Sequence, residues 1–290
     1  MRVEADNLTL DYGGDPVVRE ASLQIPAGKV SAFIGPNGSG KSTLFRALSR
    51  LLKPTRGQVL IDGASIQSLT TKQVARRLAI LPQQSTAPES ITVEDLVWYG
   101  RHPYRKTLLP PGPDDRRAVE WAIAATHLEE LRTTPVDSLS GGQRQRAWIA
   151  LALAQDTDTL LLDEPTTFLD LSHQLDVLDL CVELNREQGK TIVMVLHDIN
   201  LAAEYCDELF VVRSGELFAH GNPDEIVTPK LIQEVFAVEA EVVRHPVSGH
   251  PLCIPFSKGR LTQSVARPDL AAFKSPTGGP SAGAVLKPSL

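Results

Sequence analysis

Apolar and polar residues alternate along the first part of the chain, in "RVEADNLTLDY" and again in "PVVREASLQI". This two-residue period predicts strands of an antiparallel sheet with one face in solvent. "KVSAFIG" follows as a short apolar strand that runs into a glycine-rich loop. The next segment, "KSTLFRALSRLL", has helical spacing, with Leu44, Leu48 and Leu51 on one face. We therefore expect the order strand, loop, helix here.

The rest of the chain changes its period several times. "GQVLIDG" predicts a strand, "TKQVARRLAILPQ" a helix followed by a strand, and residues 93 to about 131 a helical stretch interrupted by "PPGPDD" at 110–115. "TLLLDEP", "TIVMVLHD" and "ELFVVRSGEL" are apolar runs typical of buried strands in a parallel sheet. The patterns predict an α/β fold with a mixed or parallel core sheet and an N-terminal antiparallel β-subdomain. A helical subdomain is expected as an insertion at about 88–145.

Composition sets the limits of this domain. From residue 257 to 290 the chain is rich in Gly, Pro, Ser and Ala without a hydrophobic period, which predicts a mobile tail after a domain at 1–256. The net charge of −6 weighs against a surface built for nucleic acid. Cys181, Cys206 and Cys253 stand far apart without a CxxC pair, so neither a disulfide framework nor a zinc site is indicated, and a reducing, cytosolic compartment fits best.

No segment of the sequence is expected to cross a membrane. The N-terminus lacks the apolar core of a signal peptide, and the longest apolar runs, such as "AWIALALA", are too short to span a bilayer. Any role at a membrane is therefore expected to depend on a partner.

The segment "GPNGSGKS" at 35–42, called the phosphate loop below, matches GxxxxGK[ST] between a predicted strand and a predicted helix. Its glycines allow the backbone to approach a ligand, and its N–H groups with the helix N-terminus would hold phosphates. Lys41 would reach the β- and γ-phosphates, the Ser42 hydroxyl could ligate Mg²⁺, and Thr43 adds a donor nearby. Phosphate binding is the expected role of this segment.

Two carboxylates follow the apolar run of "TLLLDEP". Phosphoryl chemistry needs one carboxylate near Mg²⁺, which we assign to Asp163, and one to polarise the attacking water, which we assign to Glu164. A strand that runs into an acidic turn is the simpler explanation of this segment alone. Beside the phosphate loop, it indicates a nucleoside triphosphatase.

A third segment, "LSGGQ" at 139–143, opens a predicted helix. The helix N-terminus, the Ser140 hydroxyl and the two glycines would form a second anion site, which a chain with one phosphate loop has no evident use for. One explanation is that two copies face each other and share their sites. The other is a capped helix after a tight turn.

Taken together, these motifs resemble the ATP-binding-cassette ATPases. The resemblance rests on the phosphate loop, "LSGGQ", "LLLDEP" at 160–165, "FLD" at 168–170 and His197 after "VMVL", and it covers about residues 3–255. It implies that the chain hydrolyses ATP with Mg²⁺ and that two copies sandwich the nucleotide. The ATP-binding residues it implies are Tyr12, Gly35, Asn37, Gly38, Ser39, Gly40, Lys41, Ser42 and Thr43.

The resemblance also assigns roles to single residues. Tyr12 looks like the aromatic residue that stacks on adenine, and Asp170 like the aspartate that communicates across the dimer. Gln83 looks like the glutamine that contacts Mg²⁺, together with Ser42 and Asp163, and the attacking water; Gln84 is the rival. His197 looks like the histidine that touches the γ-phosphate, so the catalytic set would be Glu164, His197, Lys41 and Gln83. Ser140, Gly141, Gly142 and Gln143 would contact the ATP held by the second copy.

Finer likeness points to a class of transporter. One cassette without sustained heptads favours a transport subunit over soluble relatives in DNA repair or translation. "ITVEDLVWYGRHPYRKTLL" and "HPVSGHPLCIP" look like the ATPases of bacterial ferric-siderophore importers, of the ferric-enterobactin and ferric-citrate type, with haem and cobalamin ATPases nearby. The implied partners are integral-membrane permease subunits and, indirectly, a substrate-binding protein, with the chain peripheral at the cytoplasmic face of the membrane. The basic cluster Arg101, His102, Arg105 and Lys106 around Tyr104 is expected to be a solvated helix end, not a nucleic-acid patch.

Overall fold

The computed structural model describes residues 1–83, 86–105 and 110–257. Gln84, Lys106 and all but the first residue of the predicted tail lie outside the described residues. The strands are β1 Val3–Leu10, β2 Val18–Ile25, β3 Val30–Ile34, β4 Arg56–Ile61, β5 Ala64–Ser65, β6 Leu78–Leu81, β7 Thr159–Asp163, β8 Thr191–Val195, β9 Glu208–Arg213, β10 Glu216–Gly221, β11 Glu239–Arg244 and β12 Pro251–Phe256. The α-helices are α1 Lys41–Leu48, α2 Thr71–Ala75, α3 Val93–Tyr99, α4 Pro113–Ala125, α5 Gly141–Ala154, α6 Leu171–Gln188, α7 Ile199–Tyr205, α8 Pro223–Ile226 and α9 Pro229–Phe236.

The N-terminal strands form the predicted antiparallel sheet, in the order β2-β1-β4-β5. Val3 of β1 pairs with Ile25 on one side and with Ile61 on the other. These apolar residues lie on the buried face, and the polar residues between them are in solvent, which is why the strands alternate. The expectation of an antiparallel β-subdomain is confirmed.

The core sheet has the order β10-β9-β3-β8-β7-β6, and β9, β3, β8, β7 and β6 run parallel. Strand β3 is buried on both faces: Phe33 joins the apolar cluster shared with the antiparallel sheet, whereas Ala32 and Ile34 join the cluster on the opposite face. This two-sided burial explains the unbroken apolar run of β3. It also holds the end of β3, where the phosphate loop begins, in a rigid position.

The segment "ELFVVRSGEL" is only half a parallel strand. Ser214 and Gly215 have positive φ and turn the chain after β9, so that β10 pairs antiparallel at the edge of the sheet. The prediction of a parallel-type strand is correct for 208–213 and wrong for the part after the turn.

Helix α1 is shorter than its spacing predicts. Arg50 adopts a left-handed φ of 62°, and the N–H groups of Leu51 and Leu52 both donate to the Arg46 carbonyl, which ends the helix. Leu51 therefore lies beyond the helix with 61% of its surface exposed. Its expected place on the apolar face with Leu44 and Leu48 is wrong.

Helices α3, α4 and α5 follow β6 and precede β7 in the sequence, and they pack on each other, as the helical insertion predicts. Pro113 begins α4 in the first helical position, and the Asp115 carboxylate accepts the N–H of Gly112. The segment 110–115 therefore contains the start of a helix as well as an interruption. The boundaries at 88 and 145 stay a prediction.

The basic cluster before α4 is not a solvated helix end throughout, because Arg101 is buried. Its Nε lies 2.9 Å from Asp115 Oδ1, and its Nη1 donates to the Ala154 carbonyl at 2.8 Å. The Tyr104 ring lies against the guanidinium groups of Arg101 and Arg76, at 4.0 and 5.0 Å. Arg101 thus belongs to the packing between the helices.

After α9, strands β11 and β12 form a hairpin that the sequence patterns left unassigned. The side-chain amide of Asn200 ties it to α7 through both backbone groups of Cys253. Cys181, Cys206 and Cys253 are buried and carry free thiols. Burial raises the pKa of Cys181 to about 12, which makes it unreactive at neutral pH.

Candidate functional site

The phosphate loop connects the end of β3 to the start of α1. Gly35 has φ 148°, and a Cβ built there would overlap the Val212 carbonyl oxygen of β9. Gly40, with φ 104°, precedes the first residue of the helix and lies against Val17 and Val18. Overlap excludes a side chain at Gly35, and the positive φ disfavours one at Gly40, so the loop needs glycine at both positions to pass between β9 and the antiparallel sheet.

Lys41 is the first residue of α1, and only 4% of it is exposed. Its Nζ donates to the carbonyls of Gly35 and Pro36, each at 2.9 Å. Burial lowers the pKa of Lys41, and the Glu164 carboxylate opposes that shift. The ammonium group is therefore held over the phosphate loop in a setting where an added negative charge would stabilise it.

A cavity of about 290 Å³ opens over the loop. It is lined by Val17, Asn37, Gly38, Ser39, Gly40, Lys41, Ser42, Thr43, Glu164 and His197. The structure thus brings most of the residues expected to bind ATP together with three of the four expected catalytic residues, Lys41, Glu164 and His197. A second groove beside it is lined by Phe45, Arg46, Leu51, Pro82, Gln83 and Asp163.

Glu164 follows β7 with a φ of 55°, which turns its side chain towards the cavity. One carboxylate oxygen lies 2.9 Å from His197 Nε2. The other accepts hydrogen bonds from Gln83 Nε2 at 2.7 Å and Thr167 Oγ1 at 3.1 Å. Glu164, His197 and Gln83 thus meet at one point, as the sequence led us to expect. Thr167 was missed; its place three residues after Glu164 was the available signal.

Asp163 is the last residue of β7 and is 5% exposed. Within the described part of the chain, its Oδ1 atom is buried and has no hydrogen-bond partner. Burial, and then the Glu164 charge, raise the pKa of Asp163 to about 6, against the opposing effect of Arg46 and His197. A buried carboxylate oxygen without a partner is what a hard cation such as Mg²⁺ would coordinate.

No cluster of three or more His, Cys, Asp or Glu side chains that could hold a metal occurs among the described residues. Mg²⁺ that arrives with a nucleotide uses one or two protein carboxylates, substrate phosphates and water. The donors present, the Asp163 carboxylate and the Ser42 hydroxyl, are of the right kind.

Tyr12 lies at the rim of this site. Its ring is exposed, and its hydroxyl is 3.4 Å from both Thr43 Oγ1 and Arg46 Nη1. An exposed aromatic face next to the phosphate loop is suited to stacking on a base, so that expectation stays open.

The LSGGQ segment (139–143) does not line the cavity. Ser140 is the N-cap of α5: its hydroxyl accepts the Gln143 N–H at 3.3 Å, and the Gln143 side chain accepts the Ser140 N–H at 3.0 Å. Ser140 and Gly141 are exposed, whereas Gly142 is buried. Asp170 is likewise the N-cap of α6. Helix capping is therefore present at the exposed start of α5.

Residues 18–167 match the ABC transporter family. A petrobactin import ATP-binding protein of Bacillus anthracis is 52% identical over 258 residues, covering 89% of this chain and 94% of the relative. The chain belongs to the ABC transporter family. As an ATPase of this family it hydrolyses ATP, and its fold is the ATP-binding cassette.

Two further relatives agree with this assignment. The ferric enterobactin transport ATP-binding protein of Escherichia coli (strain K12) is 48% identical, with 91% of this chain and 97% of the relative covered. A dimeric bacterial ABC transporter cassette of known structure has a TM-score of 0.67 and 30% identity, over 76% of this chain and 98% of that one. No helix in the described ranges is long and apolar enough to cross a membrane.

Proposed function

We propose that this chain is the ATP-hydrolysing subunit of a bacterial importer that takes up ferric siderophores. The observation that carries the proposal is the meeting of Glu164, His197 and Gln83 beside the phosphate loop. The cargo is supported by the petrobactin and ferric enterobactin names of its relatives, which favour an iron chelate over haem or cobalamin.

In this proposal the phosphate loop binds the triphosphate of ATP. The N–H groups at the start of α1 bind phosphate oxygens, and Lys41 gives up its two carbonyl contacts for the β- and γ-phosphates. Ser42, Gln83 and Asp163 would hold Mg²⁺, which when bound neutralises negative charge on the phosphates. Tyr12 stacks on the adenine.

Glu164 is the general base of the proposed reaction. Its carboxylate orients a water and accepts a proton from it as the water attacks the γ-phosphorus. The bond from that phosphorus to the β–γ bridging oxygen breaks in the same step, and ADP leaves with the bonding electrons. Gln83 fixes one oxygen of that carboxylate, and His197 lies by the other, where it can also donate to the γ-phosphate. Lys41 stabilises the charge that develops on the transferred group.

The ATP site is completed by a second copy of the chain. Ser140, Gly141, Gly142 and Gln143 form the start of α5 outside the cavity. Ser140 and Gly141 are exposed there, so this helix start can meet the γ-phosphate bound by the other copy. The dimeric cassette with the same fold supports this arrangement. Asp170, at the start of α6, would communicate between the two ATP sites of the dimer.

The dimer is proposed to drive integral-membrane permease subunits from the cytoplasmic face of the membrane, as a peripheral subunit without contact with nucleic acid. A substrate-binding protein would deliver the chelate to the permease. ATP binding shifts the dimer towards its closed form, because a ligand moves an equilibrium by its difference in affinity for the two states. Hydrolysis then resets the dimer.

Glu164→Gln tests the chemistry. The amide can still hydrogen-bond to Gln83, Thr167 and His197, so ATP binding should persist while kcat falls about 10²–10⁴-fold through loss of the base. Glu208→Gln is the matched control, since Glu208 also pairs with a histidine, His220 at 3.3 Å, at the far end of the parallel strands. Wild-type hydrolysis in Glu164→Gln would refute the assignment.

Two further measurements test the assembly and the cargo. Ser140→Arg should abolish hydrolysis and spare ATP binding, and normal activity would refute the shared site. Deletion of the gene should reduce uptake of radiolabelled ferric siderophore and leave haem and cobalamin uptake unchanged. Undiminished iron uptake would remove this cargo, and purification with ribosomes or DNA instead of a polytopic membrane protein would remove the transport role.

A further inference from the structure

His173, in the first turn of α6, lies between the LSGGQ segment and Asp170. Its Nδ1 is 2.6 Å from Asp170 Oδ1, and its side chain is 35% exposed. On the other side, a Cβ built on Gly142 would lie 2.5 Å from Cγ and 2.9 Å from Nε2 of the His173 ring. The imidazole thus occupies the space that a side chain at position 142 would need.

The contact with Asp170 fixes the orientation of the ring. A single carboxylate oxygen, Oδ1, accepts both the backbone N–H of His173 at 3.0 Å and its Nδ1–H. These two hydrogen bonds, the backbone bond first, lower the pKa of Asp170, so the carboxylate stays ionised and accepting. Since both bonds start from one residue, the ring cannot turn away from α5 without breaking one of them.

The contact with Gly142 fixes the start of α5. Gly142 is buried, and a Cβ on the neighbouring Gly141 would be 3.7 Å from Leu169 Cδ2. The backbone of Gly142 therefore lies against the His173 ring, and Gly141 lies near Leu169. The N–H groups of these first helical residues have no partner within the helix, and they are the groups that would bind an anion.

The same segment leads back to Glu164. Gln174 Nε2 donates to the Leu169 carbonyl at 3.0 Å and to that of Thr166 at 3.4 Å, which holds the turn before α6. Thr167 in that turn donates to Glu164. His173 therefore connects two parts of one copy. One is the turn that is hydrogen-bonded to the Glu164 carboxylate, and the other is the start of α5, which would face the second copy.

We propose that His173 is a positioning residue of the ATPase: held by Asp170, its ring supports Gly142 so that the LSGGQ segment fits the γ-phosphate of the ATP bound by the second copy. This inference rests on the shared site proposed above. His173 would not touch ATP, and its effect would pass through Gly142.

Three substitutions separate hydrogen bonding from bulk. His173→Asn keeps a donor at the position of Nδ1 and an atom at the position of Cδ2. His173→Leu keeps the bulk without the donor, and His173→Ala removes both. All three keep the backbone N–H that Asp170 caps, so α6 should still form and the thermal midpoint should change by only a few degrees.

The measurement is ATP-dependent dimerisation of the full chain in the Glu164→Gln background, at saturating ATP and varied protein concentration. Loss of one positioned hydrogen bond weakens an interaction about tenfold, and the dimer has two such sites. His173→Ala should therefore raise the protein concentration at which half of the chains are dimeric about a hundredfold. His173→Leu should resemble His173→Ala, and His173→Asn should stay within about tenfold of the parent. ATP binding by the single subunit should not change.

His220→Ala is the matched control, because it removes a histidine–carboxylate pair at the far end of the sheet and should leave dimerisation unchanged. If His173→Ala dimerises like the parent, or if Leu serves as well as Asn, the inference is overturned. Ser140→Arg in the same background separates the two proposals. Dimerisation unaffected by Ser140→Arg would refute the shared site itself, whereas its loss together with a normal His173→Ala would refute only the role of His173.

Discussion

Asp163→Asn should make the chain more stable in the absence of nucleotide and Mg²⁺. The folded protein raises the pKa of Asp163 from 3.8 to about 6, first by burial and then through the Glu164 charge. A shift of one pKa unit corresponds to about 1.4 kcal/mol. The ionised Asp163 carboxylate therefore lowers the free energy of unfolding by at most about 3 kcal/mol. Asp163 borders a groove open to water, which screens part of this cost, so we expect a gain of about 1–2 kcal/mol.

The sign of the pH dependence follows from the direction of the shift. A carboxyl group with a raised pKa binds its proton more tightly in the folded state, so stability is lost as the pH rises from 3.8 through about 6. The advantage of Asp163→Asn should therefore be full at pH 8 and smaller at pH 5. Urea unfolding of both proteins at the two pH values, with EDTA and without nucleotide, measures it.

The same substitution should remove most Mg²⁺-dependent hydrolysis, because an amide is a weaker ligand for the ion than a carboxylate. If Asp163→Asn is more stable but inactive, the negative charge of Asp163 serves the reaction and destabilises the folded protein. If Asp163→Asn is no more stable than the parent at pH 8, or if its advantage grows towards pH 5, the electrostatic reasoning is wrong.

The remaining predictions concern the packing that holds the site. Gly35→Ala should lower the free energy of unfolding by about 3 kcal/mol, because its Cβ would overlap a β9 carbonyl; Gly63→Ala, with φ 79° and open space around it, should cost only about 1 kcal/mol in the same urea assay. Arg101→Ala should lower the free energy of unfolding by about 3 kcal/mol, because the half-buried Asp115 carboxylate loses its arginine partner. Arg117→Ala should have little effect, because its ion pair with Asp114 is exposed. Equal costs within either pair would contradict the structural explanation.

The sequence predicted those parts of the site in which neighbouring residues do the work. The phosphate loop and the carboxylates after β7 are each contiguous in the sequence, so each motif is visible within one short segment. The end of α1 could not be placed in this way, because it depends on a left-handed Arg50, a residue without a turn preference. The reason that Gly35 must be glycine is also nonlocal, since the obstructing carbonyl belongs to Val212.

Contacts between distant segments explain the rest of what was missed. The antiparallel direction of β10 depends on a turn, and residue spacing alone does not distinguish that turn from a continuing strand. Arg101 is charged and near a proline-rich segment, which favours solvent, yet Asp115 and the Ala154 carbonyl satisfy it inside the protein. Thr167 and His173 carry no motif of their own, and their roles depend on which side chains the fold brings beside them.

The LSGGQ segment has two explanations, a capped helix or half of a shared site, and one geometry is compatible with both. The reciprocal hydrogen bonds of Ser140 and Gln143 use both side chains to satisfy the first turn, so the cap fixes where α5 begins. The glycines that follow present their N–H groups without side chains, and the His173 ring supports one of them. A helix start that is capped, supported and exposed is pre-organised for an anion. In the proposed function, capping and the shared site are therefore compatible.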